Sequence, residues 1–254
     1  MLSSSLKTDF DRDGFVIVRN FLPANELNEL QDHLNGYIRD IVPTLPPSDA
    51  FYEDRGRPET LKQLQRMDCD QFFDEYKQNH RWTELAEALL GEPVAADPPE
   101  WFNKPPGTNH VTPPHQDNYY FCLAPPSVLT IWLALDLVDA ENGCLRYVAG
   151  SHLAGFRPHA KSKILGFSQG ITNYTADDFT RERAILLQPG DAVAHHGMTI
   201  HRADANHSAT RHRRSFAMVF KGVSASRDQE AYQRYLTSAR EQHQELLSPS
   251  AWPK

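Results

Sequence analysis

The sequence predicts a mainly β domain, closed as a sandwich or barrel, with α-helices packed outside it. Three observations carry that prediction. From about residue 93 the chain breaks into many short apolar, β-branched and aromatic runs punctuated by Gly, Pro, Asn and Asp. Helical periodicity is confined to the stretch before them and to one stretch near the C-terminus. Asn142-Gly143 and Pro189-Gly190-Asp191 supply turn chemistry between the β runs.

In chain order, Asp13-Gly14 reads as a turn into a strand, Phe15-Val16-Ile17-Val18-Arg19. A helix begins at Leu22-Pro23-Ala24-Asn25-Glu26, where Leu27, Leu30, Leu34, Tyr37, Ile38 and Ile41 recur at helical spacing and Pro43 ends the run. Residues 43–58 hold four prolines and read as a loop able to move over a site. Residues 60–90 read as helical in pieces, with Leu85, Ala88, Leu89 and Leu90 apolar and Gly91 as a stop. Strands are expected at Val94 to Asn103, His115 to Leu123, Val128 to Leu137, Cys144 to Val148, Ala184 to Leu187, Ala192 to His196 and Arg214 to Phe220. Asn142-Gly143 should close a hairpin between two of them. Residues 149–183, with Gly150, Gly155, Gly166 and Gly170, form a long polar connection, and Asp228 to Leu247 a C-terminal helix. The expected organisation is a single domain over 1–254: a helical N-terminal part at about 20–92, a β core at about 93–222 and a C-terminal helix at about 228–247.

Composition narrows the function. With 254 residues, 40% hydrophobic and 23% charged, the chain can build a packed core. A net charge of -7 disfavours a nucleic-acid partner, whose phosphates need a basic surface. Cys69, Cys122 and Cys144 are an odd set without C-x-x-C spacing, which reads as reduced thiols in a cytoplasmic setting. The N-terminus lacks an apolar h-region and no apolar run approaches about 18 residues, so neither a signal peptide nor a membrane span is expected. The expected partner is a small-molecule substrate, with the protein a monomer or small homo-oligomer.

Chemistry concentrates in three stretches. The first is His115-Gln116-Asp117, behind the Pro-rich Lys104-Pro105-Pro106-Gly107 and Pro113-Pro114 and ahead of Tyr119-Tyr120-Phe121. On an extended strand His115 and Asp117 share one face and supply two ligands to a divalent metal. Two His and one carboxylate leave three positions open, as in non-haem Fe(II) oxygenases. The second stretch runs from Pro189-Gly190-Asp191 through His195-His196 to His201, a strand-end His distant in sequence from the first pair; His195 or His196 competes for the same role. The third, Arg211-His212-Arg213-Arg214 leading into Ser215-Phe216-Ala217-Met218-Val219-Phe220, brings an Arg into the β core, suited to a bidentate carboxylate contact.

These segments, in this order, resemble the phytanoyl-CoA dioxygenase family of Fe(II)- and 2-oxoglutarate-dependent oxygenases. The resemblance rests on Arg12-Asp13-Gly14-Phe15-Val16-Ile17-Val18, Lys104-Pro105-Pro106-Gly107, His115-Gln116-Asp117, Asn142-Gly143-Cys144-Leu145, Gly150-Ser151-His152, Pro189-Gly190-Asp191 and His201 followed by Asn206-His207-Ser208. It implies a double-stranded β-helix, a jelly roll of the cupin-like class, with flanking helices. It implies Fe(II) bound by His115, Asp117 and His201, with 2-oxoglutarate and O2 as cosubstrates. It implies an Arg beyond the distal His as the 2-oxoglutarate anchor; the spacing is stretched by one residue here, so Arg213 and Arg211 compete, and alignment on the apolar strand favours Arg213. Trp132 falls beside the cosubstrate, with Lys104 and Thr130 as further candidates. The family often has a small hydroxyl residue two beyond the distal His, where this chain has Ala203.

The reaction so implied is oxidation of a substrate C–H bond, with 2-oxoglutarate converted to succinate and CO2. Related halogenases replace the carboxylate ligand with a small residue, so Asp117 points to hydroxylation or a similar oxidation. For the substrate side, Tyr119 on the presumed inward face, Trp101, and Gln169 in the 166–171 loop are the candidate lining residues. Arg157, His159 and Lys161 would suit an anionic substrate. Two other classes compete: a non-catalytic metal- or ligand-binding jelly roll, and a cupin-type metal-dependent isomerase or hydrolase.

Overall fold

Apolar residues on both faces of the central strands force a layered arrangement, and the computed structural model, which describes residues 4–164 and 167–247, has one. The helices are α1 Ser4–Asp13, α2 Ala24–Asp40, α3 Gln71–Tyr76, α4 His80–Leu90, α5 Asn118–Phe121, α6 Ala176–Arg181 and α7 Gln229–Leu247. The strands are β1 Phe15–Val18, β2 Ala50–Tyr52, β3 Leu61–Leu64, β4 Val94–Ala96, β5 Glu100–Lys104, β6 Thr112–His115, β7 Leu123–Ala124, β8 Val128–Ala134, β9 Leu145–Val148, β10 His159–Ile164, β11 Phe167–Ile171, β12 Glu182–Ile185, β13 Ala192–His196, β14 His201–Ala203, β15 Arg213–Gly222 and β16 Ser226–Arg227.

An eight-stranded antiparallel sheet runs β1-β13-β8-β15-β5-β3-β2, with β4 beside β15. It faces a four-stranded sheet, β12-β9-β14-β6, and the two short pairs β10-β11 and β16-β7 lie outside them. This is the jelly roll that the sequence predicts. Strand β15 shows how the layers form. Phe216, Met218 and Phe220 point outward into a core with Phe73, Trp82, Leu85 and Leu89 of α3 and α4. Ala217 points inward, into a second core with Trp132, Val193, Leu145 and Tyr147 from both sheets. Strand β8 is buried along its whole length because it serves both cores.

The helices follow local chemistry. Leu27, Leu30, Leu34 and Tyr37 form the buried face of α2. The Asn79 side chain caps α4 by accepting from the Arg81 N–H, and Gly91, with φ 79°, ends it. Gly190 has φ 88°, and a Cβ there would stand 2.6 Å from the Leu22 carbonyl oxygen, so the Pro189-Gly190-Asp191 turn into β13 requires glycine.

Several expectations are corrected. The part at about 20–92 is not only helical: β2 and β3, within 43–58 and 60–90, join the large sheet, as does the expected strand β1 before them. The stretch from Val94 to Asn103 splits into β4 and β5 around Pro98-Pro99, since proline cannot donate to a ladder. Asn142-Gly143 does not close a hairpin, because β8 and β9 belong to different sheets. The turn there crosses between sheets: Asn142 donates to the Leu137 and His212 carbonyls while its own Oδ1 accepts the Asp139 N–H. The polar connection 149–183 contains the hairpin β10-β11 and the helix α6, closed by a Thr175/Asp178 capping box. Gly166, in the expected loop at the mouth, lies outside the described residues. Helix α7 packs on the hairpin through Gln242, which donates to the Ser162 and Ile164 carbonyls, and through Lys161 paired with Glu241.

Candidate active site

Strands β6 and β14 are neighbours in the small sheet, with His115 directly opposite His201. Their rings lie 4.2 Å apart, centroid to centroid. The His115 Nδ1 is 2.8 Å from the Pro113 carbonyl and the His201 Nδ1 3.0 Å from the Thr199 carbonyl. A carbonyl only accepts, so each Nδ1 carries the proton and each Nε2 offers a lone pair inward. Both Nε2 atoms are 3.5 Å from Asp117 Oδ1. His115, Asp117 and His201 thus offer three ligand atoms within 4.8 Å of one another, able to hold a divalent metal.

Asp117 reaches this point by a route the sequence pattern does not give. Its φ of -59° and ψ of -36° are helical, so the strand ends at His115 and α5 begins. Its second oxygen is fixed from behind: Oδ2 accepts from the Thr130 hydroxyl at 2.8 Å and lies 3.0 Å from His195 Nε2. The other His195 nitrogen is 2.9 Å from the Tyr147 hydroxyl. With Nε2–H donating to Asp117 and Nδ1 accepting from Tyr147, the chain Tyr147–His195–Asp117 is satisfied throughout. Oδ1 is left to face the two histidines. Burial pushes the Asp117 carboxyl up, but His201, His115 and His195 hold it well below the usual carboxylate range. Burial, with His115, pushes His201 well below the usual imidazole range. An ionised carboxylate and neutral imidazoles are the forms that metal ligation needs.

These side chains line a cavity of about 470 Å³ that also contains Trp132, Lys104, Thr130 and Arg213. Arg213 is 4% exposed and its guanidinium carbon lies 5.4 Å from the Trp132 ring centre. Burial lowers it to about 10, so it remains a cation at neutral pH. Its Nε is buried without a hydrogen-bond partner among the described residues. A buried guanidinium in that state calls for an anion, and the dicarboxylate 2-oxoglutarate supplies one. Arg211 is different: it pairs with Asp139 at 2.9 Å and Glu141 at 2.6 Å, outside the cavity. Lys104 stands opposite Arg213 in the β5-β15 register, but its Nζ is engaged by the Asp204 carbonyl at 2.6 Å and by those of His110 and Ala203. Burial and the adjacent Arg213 push it down to about 6.

The substrate-side candidates are redistributed. Because the backbone turns helical at Asp117, Tyr119 leaves the face of His115 and stacks on His159, with ring centres 4.1 Å apart. Tyr120 takes the place in the cavity. Trp101 points away from the cavity into the helix-side core, since on β5 the inward residues are Glu100, Phe102 and Lys104. Gln169 is buried against α7, donating to Ser238 Oγ at 2.9 Å. Thr130, expected at the cosubstrate, spends its hydroxyl on Asp117. His196 faces the other way, near His152 and Phe10. Of the lining residues not anticipated, Glu100 and Phe102 were accessible from the sequence by counting back in twos from Lys104. Gln63, Tyr232 and Tyr235 carry no local signal.

Comparison with known proteins agrees with this geometry. Residues 10–215 match the family model described as phytanoyl-CoA dioxygenase (PhyH). A probable phytanoyl-CoA dioxygenase of Caenorhabditis elegans is 26% identical over 225 residues, covering 81% of this chain and 71% of that protein. The peroxisomal phytanoyl-CoA dioxygenase of Bos taurus is 25% identical over 221 residues, covering 82% of this chain and 65% of its own length. The fold is shared with the epimerase SnoN, solved in complex with Fe3+, alpha ketoglutarate and nogalamycin RO, at a TM-score of 0.71 and 23% identity over 88% of this chain and 84% of that one. The family model spans most of the sequence, and the chain belongs to the phytanoyl-CoA dioxygenase family.

Proposed function

We propose that the chain is a non-haem Fe(II)- and 2-oxoglutarate-dependent dioxygenase that oxidises a C–H bond of a small molecule, by hydroxylation or a similar step, with release of succinate and CO2. The observation that carries this reading is one cavity holding both the His115-Asp117-His201 cluster and the buried Arg213, which has no ion pair among the described residues. A sensor or a hydrolytic cupin needs the first but has no use for the second.

Iron, when bound, supplies the oxygen chemistry and couples 2-oxoglutarate decarboxylation to oxidation of the substrate. The residues do the rest. His115 Nε2, His201 Nε2 and Asp117 Oδ1 would hold the metal. Thr130 and His195 occupy Asp117 Oδ2, so Oδ1 is the oxygen that would be offered to a metal. Arg213 receives the distal carboxylate of 2-oxoglutarate, and Trp132 covers the guanidinium and excludes water. Lys104 braces the backbone after β14 beside it. The protein works as a monomer or small homo-oligomer in a reducing, cytoplasm-like compartment, consistent with free Cys69, Cys122 and Cys144 and with the absence, among the described residues, of a helix long and apolar enough to cross a membrane.

The test is succinate formation from 2-oxoglutarate under O2 across a panel of small molecules. Turnover should require Fe(II) and vanish in Asp117→Ala. Iron binding without succinate release on any substrate would favour a binding protein instead.

A further inference from the structure

We propose that Glu100 and Gln63 form a subsite of the cavity that takes a protonated amino group, so that the substrate carries a primary amine. This rests on the oxygenase reading and deepens it.

The two residues are neighbours in the large sheet. Gln63 of β3 stands opposite Phe102 of β5, and Glu100 lies two residues along β5 on the same inward face. Both line the cavity. The other cavity carboxylates have partners. Glu53 meets Lys62 at 3.3 Å and His110 at 2.7 Å, Asp97 pairs with Lys221, and Asp117 meets the histidines. Glu100 has no ion pair among the described residues; the Gln63 amide hydrogen-bonds to it. With the amide N–H donating there, Gln63 Oε1 is left as an acceptor, 4% exposed as a residue and without a partner among the described residues. Among the described residues Glu100 thus meets the Gln63 amide but no cation in an ion pair, and Gln63 Oε1 meets no donor, a desolvation cost that a ligand would remove. An ammonium group brings three donors and the missing positive charge.

Position separates this subsite from the cosubstrate. In the β5-β15 register Lys104 stands opposite Arg213 and Glu100 opposite Ala217, four residues further along the strand. Burial and Asp117 raise the Glu100 carboxyl to about 7, a state that a nearby cation reverses. The cavity thus has two poles: an unpaired guanidinium suited to a dicarboxylate, and an unpaired carboxyl suited to a cation. The same cavity is lined by Phe102, Tyr120, Phe121, Tyr232 and Tyr235, whose faces suit an apolar body next to a cation.

The experiment is calorimetry on full-length protein loaded anaerobically with Fe(II) and 2-oxoglutarate. The probes are matched sets: tyramine, tyrosol and 4-hydroxyphenylacetate, and 2-cyclohexylethylamine, 2-cyclohexylethanol and cyclohexylacetate. The wild type should bind an amine at least about tenfold more tightly than its alcohol, with the carboxylate weakest. Glu100→Gln should erase the amine preference while still binding 2-oxoglutarate, which shows the fold intact. Gln63→Leu should weaken amine and alcohol together. The subsite is refuted if no amine binds, if amine and alcohol bind equally, or if the preference survives in Glu100→Gln. Failure of the wild type to bind 2-oxoglutarate would strike the oxygenase reading instead; normal 2-oxoglutarate binding without amine preference strikes the subsite alone.

Discussion

At the scale of single residues, His195 is the side chain whose role changed most between sequence and structure. In the sequence it competes as a metal ligand; in the fold it stands behind Asp117, with Tyr147 behind it. Such partners of a ligand typically change metal affinity by about 10- to 100-fold. His195→Leu should therefore weaken iron binding by that order, measured by competition with a chelator, while His195→Gln retains part of it; equal affinity in both variants and wild type would remove the role. Arg213→Ala should raise the 2-oxoglutarate dissociation constant by about 100-fold, a loss expected for a buried bidentate charge contact. Arg211→Ala should leave it unchanged, because Arg211 is occupied by Asp139 and Glu141. The opposite pattern would reassign the anchor. That His115, Asp117 and His201 come together was legible because residue type and order point to it. The geometry of Asp117 was not, since period-2 alternation assumes a strand and the backbone there is helical. That one error displaced Tyr119 and hid Tyr120.

At the scale of elements, the turn into β13 joins sequence to stability. Gly190 holds a left-handed φ of 88° against the Leu22 carbonyl. Asp191 accepts from the Asn20 and Gln188 N–H groups and from Arg19. Gly190→Ala should destabilise by at least about 1 kcal/mol, a fall in Tm of roughly 2–4 °C per kcal/mol at this size. An unchanged Tm would show that the turn relaxes. Burial opposes the Asp191 charge, but the Asn20 and Gln188 amides and Arg19 outweigh it and hold its carboxyl below the usual range. A carboxyl lowered on folding stabilises above its unfolded value, near pH 4, and that contribution is lost as the pH falls through the lower folded value. Asp191→Asn should thus lower Tm at pH 7 and converge with wild type in acid. The helices α2, α4 and α7 were legible from periodicity and stop signals. Strands β2 and β3 were not: they are short, buried at the edge of a sheet completed by distant segments, and nothing local demands extension.

At the scale of the whole molecule, the jelly roll was legible as a class, while its strand order was not, because β1 pairs with β13 across most of the chain. The mouth is a product of that long-range assembly. Helix α7, far from the metal cluster in sequence, brings Tyr232 and Tyr235 to the cavity and is tied to the hairpin β10-β11 by Gln242 and Lys161. Removing residues 229–254 should leave iron and 2-oxoglutarate binding in place and raise KM for the substrate. Loss of 2-oxoglutarate binding in that variant would mean that α7 supports the barrel and not only its mouth. Metal and anion sites share one cavity, so anaerobic binding of 2-oxoglutarate with and without Fe(II) probes both together. Wild type should bind it tightly only with iron present, Asp117→Ala should lose that metal dependence, and Arg213→Ala should bind weakly even with iron. Binding that is indifferent to iron, or to both substitutions, would contradict the account.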